Sequence, residues 1–492
     1  MLKPLSRAKW ESATAAHLLN RAGFGGPPQQ IEKLTAQSHE EAVAHFVDYE
    51  KIPDSTAAPE WAKPDPDRRK TFMEARNLPE QERRRKLQEI QRADRQHMIE
   101  LRGWWLRRMA DGPRPLQEKM VLFWHGHFAT SVEKVREAYL MWRQNDMFRR
   151  LGTGDWLELL VEVAKDPAML IWLDQAQSRK EHPNENFARE VMELFALGEG
   201  HYTEKDITEA ARALTGWSYD RLDQRFMERP MAHDRGQKTI FSRTGNFDGK
   251  DFLQMVVEQP QSARFITAKL WNFFAGEPPS EQLNDALAAE FKNGGNQFKP
   301  VLRAMFLSEA FYAPSIVRNQ VKSPVQWLVG SVRVLERELP PPLVCFGLTR
   351  NLGQDLFAPP NVKGWDGGLS WITTNNLLAR YNDAATLVHG DAAPASAGIM
   401  PVNNPNAQML AERRMRGLRI GGVDAKKIVP ENDRTDKEKL MAALERRLIQ
   451  DKLKPKQQQV LRDYLDSRNA LDDATVLNAI RLVMSTPEYQ LT

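Results

Sequence analysis

Apolar residues recur every three to four positions along most of the chain, the spacing of helices that bury one face. Leu87, Ile90, Met98, Leu101, Trp105 and Met109 form one such seam, predicting a long helix over residues 80–109. Similar spacing predicts helices over 6–22, 132–151, 155–165, 167–176, 262–275, 280–292, 299–308, 324–338 and 343–350. Local start signals agree. Ser38 precedes Glu41 and Thr203 precedes Asp206 in capping-box order, and Ser323 stands before Pro324 as an N-cap before a first-turn proline.

The helical pattern lapses in a few places. Residues 52–68 are rich in Pro, Asp and Lys and read as a linker. Residues 218–250 hold Pro230, Gly236, Gly245 and Gly249, which predicts an extended insert with a short hairpin around Phe226 and 239–241. Within 352–372, Pro359, Pro360, Gly364, Gly367 and Gly368 forbid regular structure. Residues 391–408, rich in Ala, Pro, Asn and Gly, read as a second linker. The expected fold is therefore mainly α. It comprises a large multi-helix domain over 1–390, with the hairpin insert and a Trp/Gly-rich loop, and a helical C-terminal extension over 409–492.

Residues 184–217 concentrate the most chemistry. Phe187, Ala188, Val191, Met192, Leu194 and Phe195 share one arc of a helix, while Glu185, Asn186, Arg189, Glu190 and Glu193 share the other. Gly198 and Gly200 stop that helix, and His201 follows. The polar arc has two readings, a solvated surface or a buried acidic site. In the second, Asn186 contacts substrate while Glu190 and Glu193, on adjacent turns, hold a divalent cation or work as an acid/base pair.

Other candidates lie far away in the chain. His125 and His127 flank Gly126 in WHGH. Helical spacing aims His127 into the core and leaves His125 about 200° around the axis, so a regular helix cannot bring both to one metal. One reading is a buried and a surface histidine; the other has one of them ligate a metal or move protons. His233 and Asp234 form a polar pair in the insert. Trp365 and Trp371 either pin the 352–372 loop or wall a pocket, with Asn361, Lys363 and Asp366 as polar contacts to a sugar ring or another flat ligand.

Composition narrows the class. A net charge of +4 on 492 residues gives no reason to expect nucleic acid. No apolar run approaches the roughly 18 residues that span a bilayer. The basic start lacks the apolar core of a leader peptide, which predicts a cytoplasmic protein; export after removal of a leader is the alternative. A single cysteine, Cys345, excludes a disulfide framework and a Cys-rich zinc site. Its apolar neighbours favour a small buried hydrophobe over a nucleophile.

The stretches HLLNRAGFG (17–25), FWHGHFATS (123–131), 184–217, HDRGQKT (233–239) and PPNVKGWDGGLSWI (359–372) occur in this order. On them the chain resembles a large bacterial family catalogued as the domain of unknown function number eighteen-hundred. The resemblance implies a mostly helical fold and a genomic neighbourhood shared with a sulfatase-like partner family; it supplies no reaction. Gly126 stands where many relatives carry Asn.

Two expectations follow. In the first, the protein is a metal-assisted enzyme, hydrolase-type, acting on a polar, glycan-like substrate. His125, His127, Glu190, Glu193 and His201 would ligate a divalent metal, and Glu190, Glu193, His127, His233 and Asp234 would be catalytic. In the second, it is a non-catalytic scaffold or binding protein working with the sulfatase-like partner, and Arg189 pairs with nearby carboxylates. Convergence of the acidic turn, the histidines and the tryptophan loop separates the two.

Overall fold

The computed structural model describes residues 2–390 and 420–492. The linker expected at 391–408 lies outside the described residues, as do the first residues of the expected extension. The described residues are mainly helical. Their sheets are two antiparallel hairpins, β1 (Trp217–Asp220) with β2 (Arg225–Glu228) and β3 (Lys238–Ile240) with β4 (Arg243–Gly245). The insert expected to hold one hairpin thus holds two.

The local start signals act as read. Ser38 accepts from the Glu41 amide at 3.2 Å and Glu41 accepts from the Ser38 amide at 2.9 Å. Thr203 and Asp206 exchange the same pair of bonds, at 3.2 and 2.9 Å. The run expected over 132–151 is two helices, Val132–Val135 and Ala138–Leu151, because Arg136 turns left-handed at φ 58°.

The long helix is Glu80–Asp111, and only its second half obeys the seam. Leu87 is 38% exposed, and Arg84 and Arg85 pair along the surface with Glu80 and Glu89. Met98, Leu101, Trp105 and Met109 are buried against the Pro324–Val334 and Pro342–Asn351 helices. Gly103 allows that approach: a Cβ there would lie 2.6 Å from the Pro342 ring.

This half also anchors the WHGH helix, Pro115–His127. Glu118, 1% exposed, accepts from Arg108 and Arg149 at 2.7 Å each and from the Trp105 indole at 2.9 Å. Burial by itself would raise its pKa, but Arg149 and Arg108 outweigh that and hold it below the ordinary glutamate value. Three helices meet at this ion cluster, which fixes the height and rotation of the histidines.

The C-terminal segment returns to the start of the chain. Its Asp473–Met484 helix packs on Thr374–His389. Buried Arg21 donates to the carbonyls of Phe274, Ile316 and Thr492. The Tyr489 hydroxyl meets Ser331 at 2.8 Å. One hydrophobic cluster runs from Leu5 to Tyr489.

Candidate functional site

The acidic stretch is not one regular helix. Glu185–Glu190 is α-helical and Val191–Ala196 is a π turn. The Leu197 and Gly198 amides both reach back to the Met192 carbonyl, at 2.8 and 3.1 Å. Helical spacing alone misses this widened turn. Single π turns occur often at functional sites, because they re-aim side chains within an otherwise regular helix.

Glu190 and Glu193 sit on the two sides of this change of pitch, and both are half-buried. Burial first, and then the Glu193 charge, raise the pKa of Glu190, while Arg189 and Lys363 oppose them. Glu193 accepts from the Tyr202 hydroxyl at 3.1 Å. Burial, and after it Glu193, push that phenol up to about 12, so Tyr202 remains a donor at neutral pH.

Lys363 comes from the Trp/Gly-rich loop. The Lys363 amide donates to Asn361 Oδ1 at 2.9 Å, and Gly364 then lies flat against the WHGH helix. A Cβ at Gly364, where φ is +83°, would stand 2.3 Å from the Gly126 carbonyl. A Cβ at Gly126 itself would meet nothing within 4 Å, so the side-chain position between the histidines faces open space. Lys269, on the Pro260–Ala275 helix, adds a second cation: burial, and next Lys363, lower its pKa. Lys269 in turn is near enough to His127 to disfavour a charge there.

Both histidines are buried, which corrects the expectation of one surface ring. The 355–366 segment crosses the face that helical spacing left open and covers His125, while the Gly126 position beside it stays open. His125 Nε2 accepts from the Phe357 amide at 2.9 Å, and its ring lies among Trp105, Phe357 and Trp365. His127 Nε2 donates to the Phe195 carbonyl at 2.9 Å, fastening the π turn. The two imidazoles therefore hold opposite tautomers. Burial lowers both to about 3, with Arg102 adding to the effect on His125, so both are neutral at ordinary pH.

Only part of the expected set comes together. Glu190, Glu193, Lys363 and the backbone around His127 are brought together, with the Trp365 ring tilted against that of His125. His201 is exposed beyond the glycine turn, and Asn186, Asn361 and Asp366 are exposed as well. Trp371 is buried, its ring 3.5 Å from where a Cβ at Gly353 would stand. His233 Nδ1 donates to the Thr215 carbonyl at 2.9 Å, and Asp234 pairs with Arg212 at 2.7 Å, which holds it below the ordinary aspartate value. Asp234 fastens the insert to the Glu204–Ala213 helix, and His233 fastens it to the turn that follows. Cys345 is buried, its thiol donates to the Pro340 carbonyl, and burial pushes it up to about 12, so it is no nucleophile.

Among the described residues no group of three or more His, Cys, Asp or Glu is placed to hold a metal ion. His125 and His127 instead each spend a ring nitrogen on a backbone group. Arg189 pairs with Glu204 through two bonds of 2.8 and 2.7 Å, the feature expected of a surface arc. Sequence reading missed Tyr202 and Lys269. Tyr202 lies within the highlighted stretch, but Lys269 gives no signal in an ordinary amphipathic helix.

Among the described residues no helix is long and apolar enough to cross a membrane. A family model described as a protein of unknown function (DUF1800) matches residues 17–491, through the C-terminal segment. No curated protein and no solved structure matches the chain.

Proposed function

Since this chain belongs to the DUF1800 family, whose function is unknown, we propose from its own residues that it is an enzyme. Glu190 and Glu193 move protons on a polar, glycan-like substrate, with hydrolysis as the reaction class. The observation that carries this reading is the half-buried carboxylate pair astride the start of a π turn, with a lysine beside it supplied from a loop about 170 residues away. Glu190, held toward its protonated form, is the acid. Glu193, oriented by Tyr202, is the base or the acceptor of a substrate hydroxyl. Lys363 and Lys269 offer positive charge to an oxygen that gains negative charge during bond cleavage. A divalent cation entering here would take Glu190 and Glu193 as its carboxylate ligands.

The test combines a panel of polysaccharides and aryl glycosides with Glu190→Gln and Glu193→Gln, and with elemental analysis of untagged protein. General acid–base catalysis contributes ~10²–10⁴-fold, so each variant should lose about 10²-fold or more of the rate while its circular dichroism is unchanged. Turnover that survives in both variants would remove these carboxylates from the reaction.

A second reading, a scaffold working with a sulfatase-like partner, draws on one observation. Leu369, Leu377 and Leu378 are 80%, 45% and 61% exposed beside the tryptophan loop, an apolar surface of the kind that partners cover. Absence of turnover on the whole panel, together with capture of such a partner that Leu378→Asp abolishes, would favour it.

A further inference from the structure

A cleft of about 980 Å³ opens between the 170–184 segment and the first hairpin, lined by neither Glu190 nor Glu193. Its charged lining is almost all of one sign. Lys134, Arg179, Arg221 and Arg229 face it, against the single carboxylate of Asp174. Lys134 already neutralises that carboxylate, at 2.8 Å. Arg179, Arg221 and Arg229 are exposed and form no ion pair with any described residue. Elsewhere on this part of the surface guanidiniums do find partners: Arg189 has Glu204, Arg212 has Asp234 and Arg69 has Asp223.

The walls are built before any ligand arrives. Lys180 donates its amide to the Ala232 carbonyl at 2.8 Å, and Ser218 Oγ donates to the Ala176 carbonyl at 2.9 Å. The Arg179 and His182 backbones bond each other in a tight turn. An anion entering the cleft meets three exposed guanidiniums that no carboxylate already neutralises. Their planar forks match the oxygens of a phosphate or sulfate through paired bonds. A bare oxoanion would fill little of the cleft, and Tyr219 with Leu170 and Ile171 lines the remainder. Pockets of roughly 300–1,000 Å³ take ligands of several rings.

We propose that this cleft binds a small organic oxoanion, a phosphate or sulfate monoester whose organic part packs against Tyr219. The site does not depend on Glu190 or Glu193.

Isothermal titration of the full chain with 4-nitrophenyl phosphate, 4-nitrophenyl sulfate and the uncharged 4-nitrobenzyl alcohol tests it. At least one ester should saturate a single site while the alcohol does not, and the tighter ester identifies the oxoanion. Arg179→Gln combined with Arg229→Gln should weaken binding at least tenfold, as should Arg221→Gln alone to a smaller degree. Arg84→Gln, on the exposed half of the long helix, should leave affinity unchanged, and so should Glu190→Gln. The proposal is overturned if neither ester saturates, if the double variant binds as tightly as the parent, or if Arg84→Gln weakens binding equally. Loss of catalysis in Glu190→Gln with ester binding retained would separate this site from the carboxylate pair.

Discussion

Glu118 and Glu190 are both glutamates withdrawn from water on helices of the same core, yet they have opposite characters. Glu118 is enclosed by two arginines and an indole, and its charge is more favourable than in water. Glu190 is less buried but has only partial compensation from Arg189 and Lys363, with Glu193 working against it. The difference shows that depth alone does not set the role of a carboxylate. Supply of cations does. A fully paired group ties helices together, and an under-paired group at a solvent edge keeps a proton to give.

Three changes would break or sharpen this contrast. The largest effect belongs to Glu118→Gln, which strands Arg108 and Arg149 in the core; removing one partner of a buried ion network costs roughly 3–5 kcal/mol. Urea unfolding should read that loss directly. Next comes Gly364→Ala, which places a methyl against the Gly126 carbonyl at a positive φ. Strain of about 1–3 kcal/mol is expected, and because the loop carries Lys363, Glu190 should titrate higher still, measured by carboxyl carbon NMR.

The smallest effect is on stability in Glu190→Gln, where solvent screening keeps the change to about 0.5 kcal/mol or less. Its sign is the informative part. A carboxyl whose folded pKa is raised contributes stability below its unfolded pKa, near 4.5, and loses it as pH rises through the folded value. The glutamine variant should therefore unfold at slightly higher urea than the parent at pH 7, and the gap should close below pH 4.5. A variant less stable than the parent at pH 7 would mean that Glu190 is paired like Glu118.

The basic cleft extends the same lesson to arginine. Arg108 and Arg149 are consumed by structure, whereas Arg179, Arg221 and Arg229 are left facing an open space. Neither set stands out as residue types in the chain. The distinction appears only when the 170–184 segment and the first hairpin are brought side by side.

What the amino-acid order determined was whatever neighbours within a turn or two decide. The helical seams, the capping pairs at Ser38 and Thr203, the stop at Gly198 and the broken backbone around Gly364 all rest on contacts between residues a few positions apart. The tertiary structure alone decided the π turn under Phe195, the burial of both WHGH rings, and the meeting of Glu190 with Lys363. Each of these depends on a segment tens to hundreds of residues away occupying one face of a helix. Local spacing can say which face is apolar, but not what will cover the other.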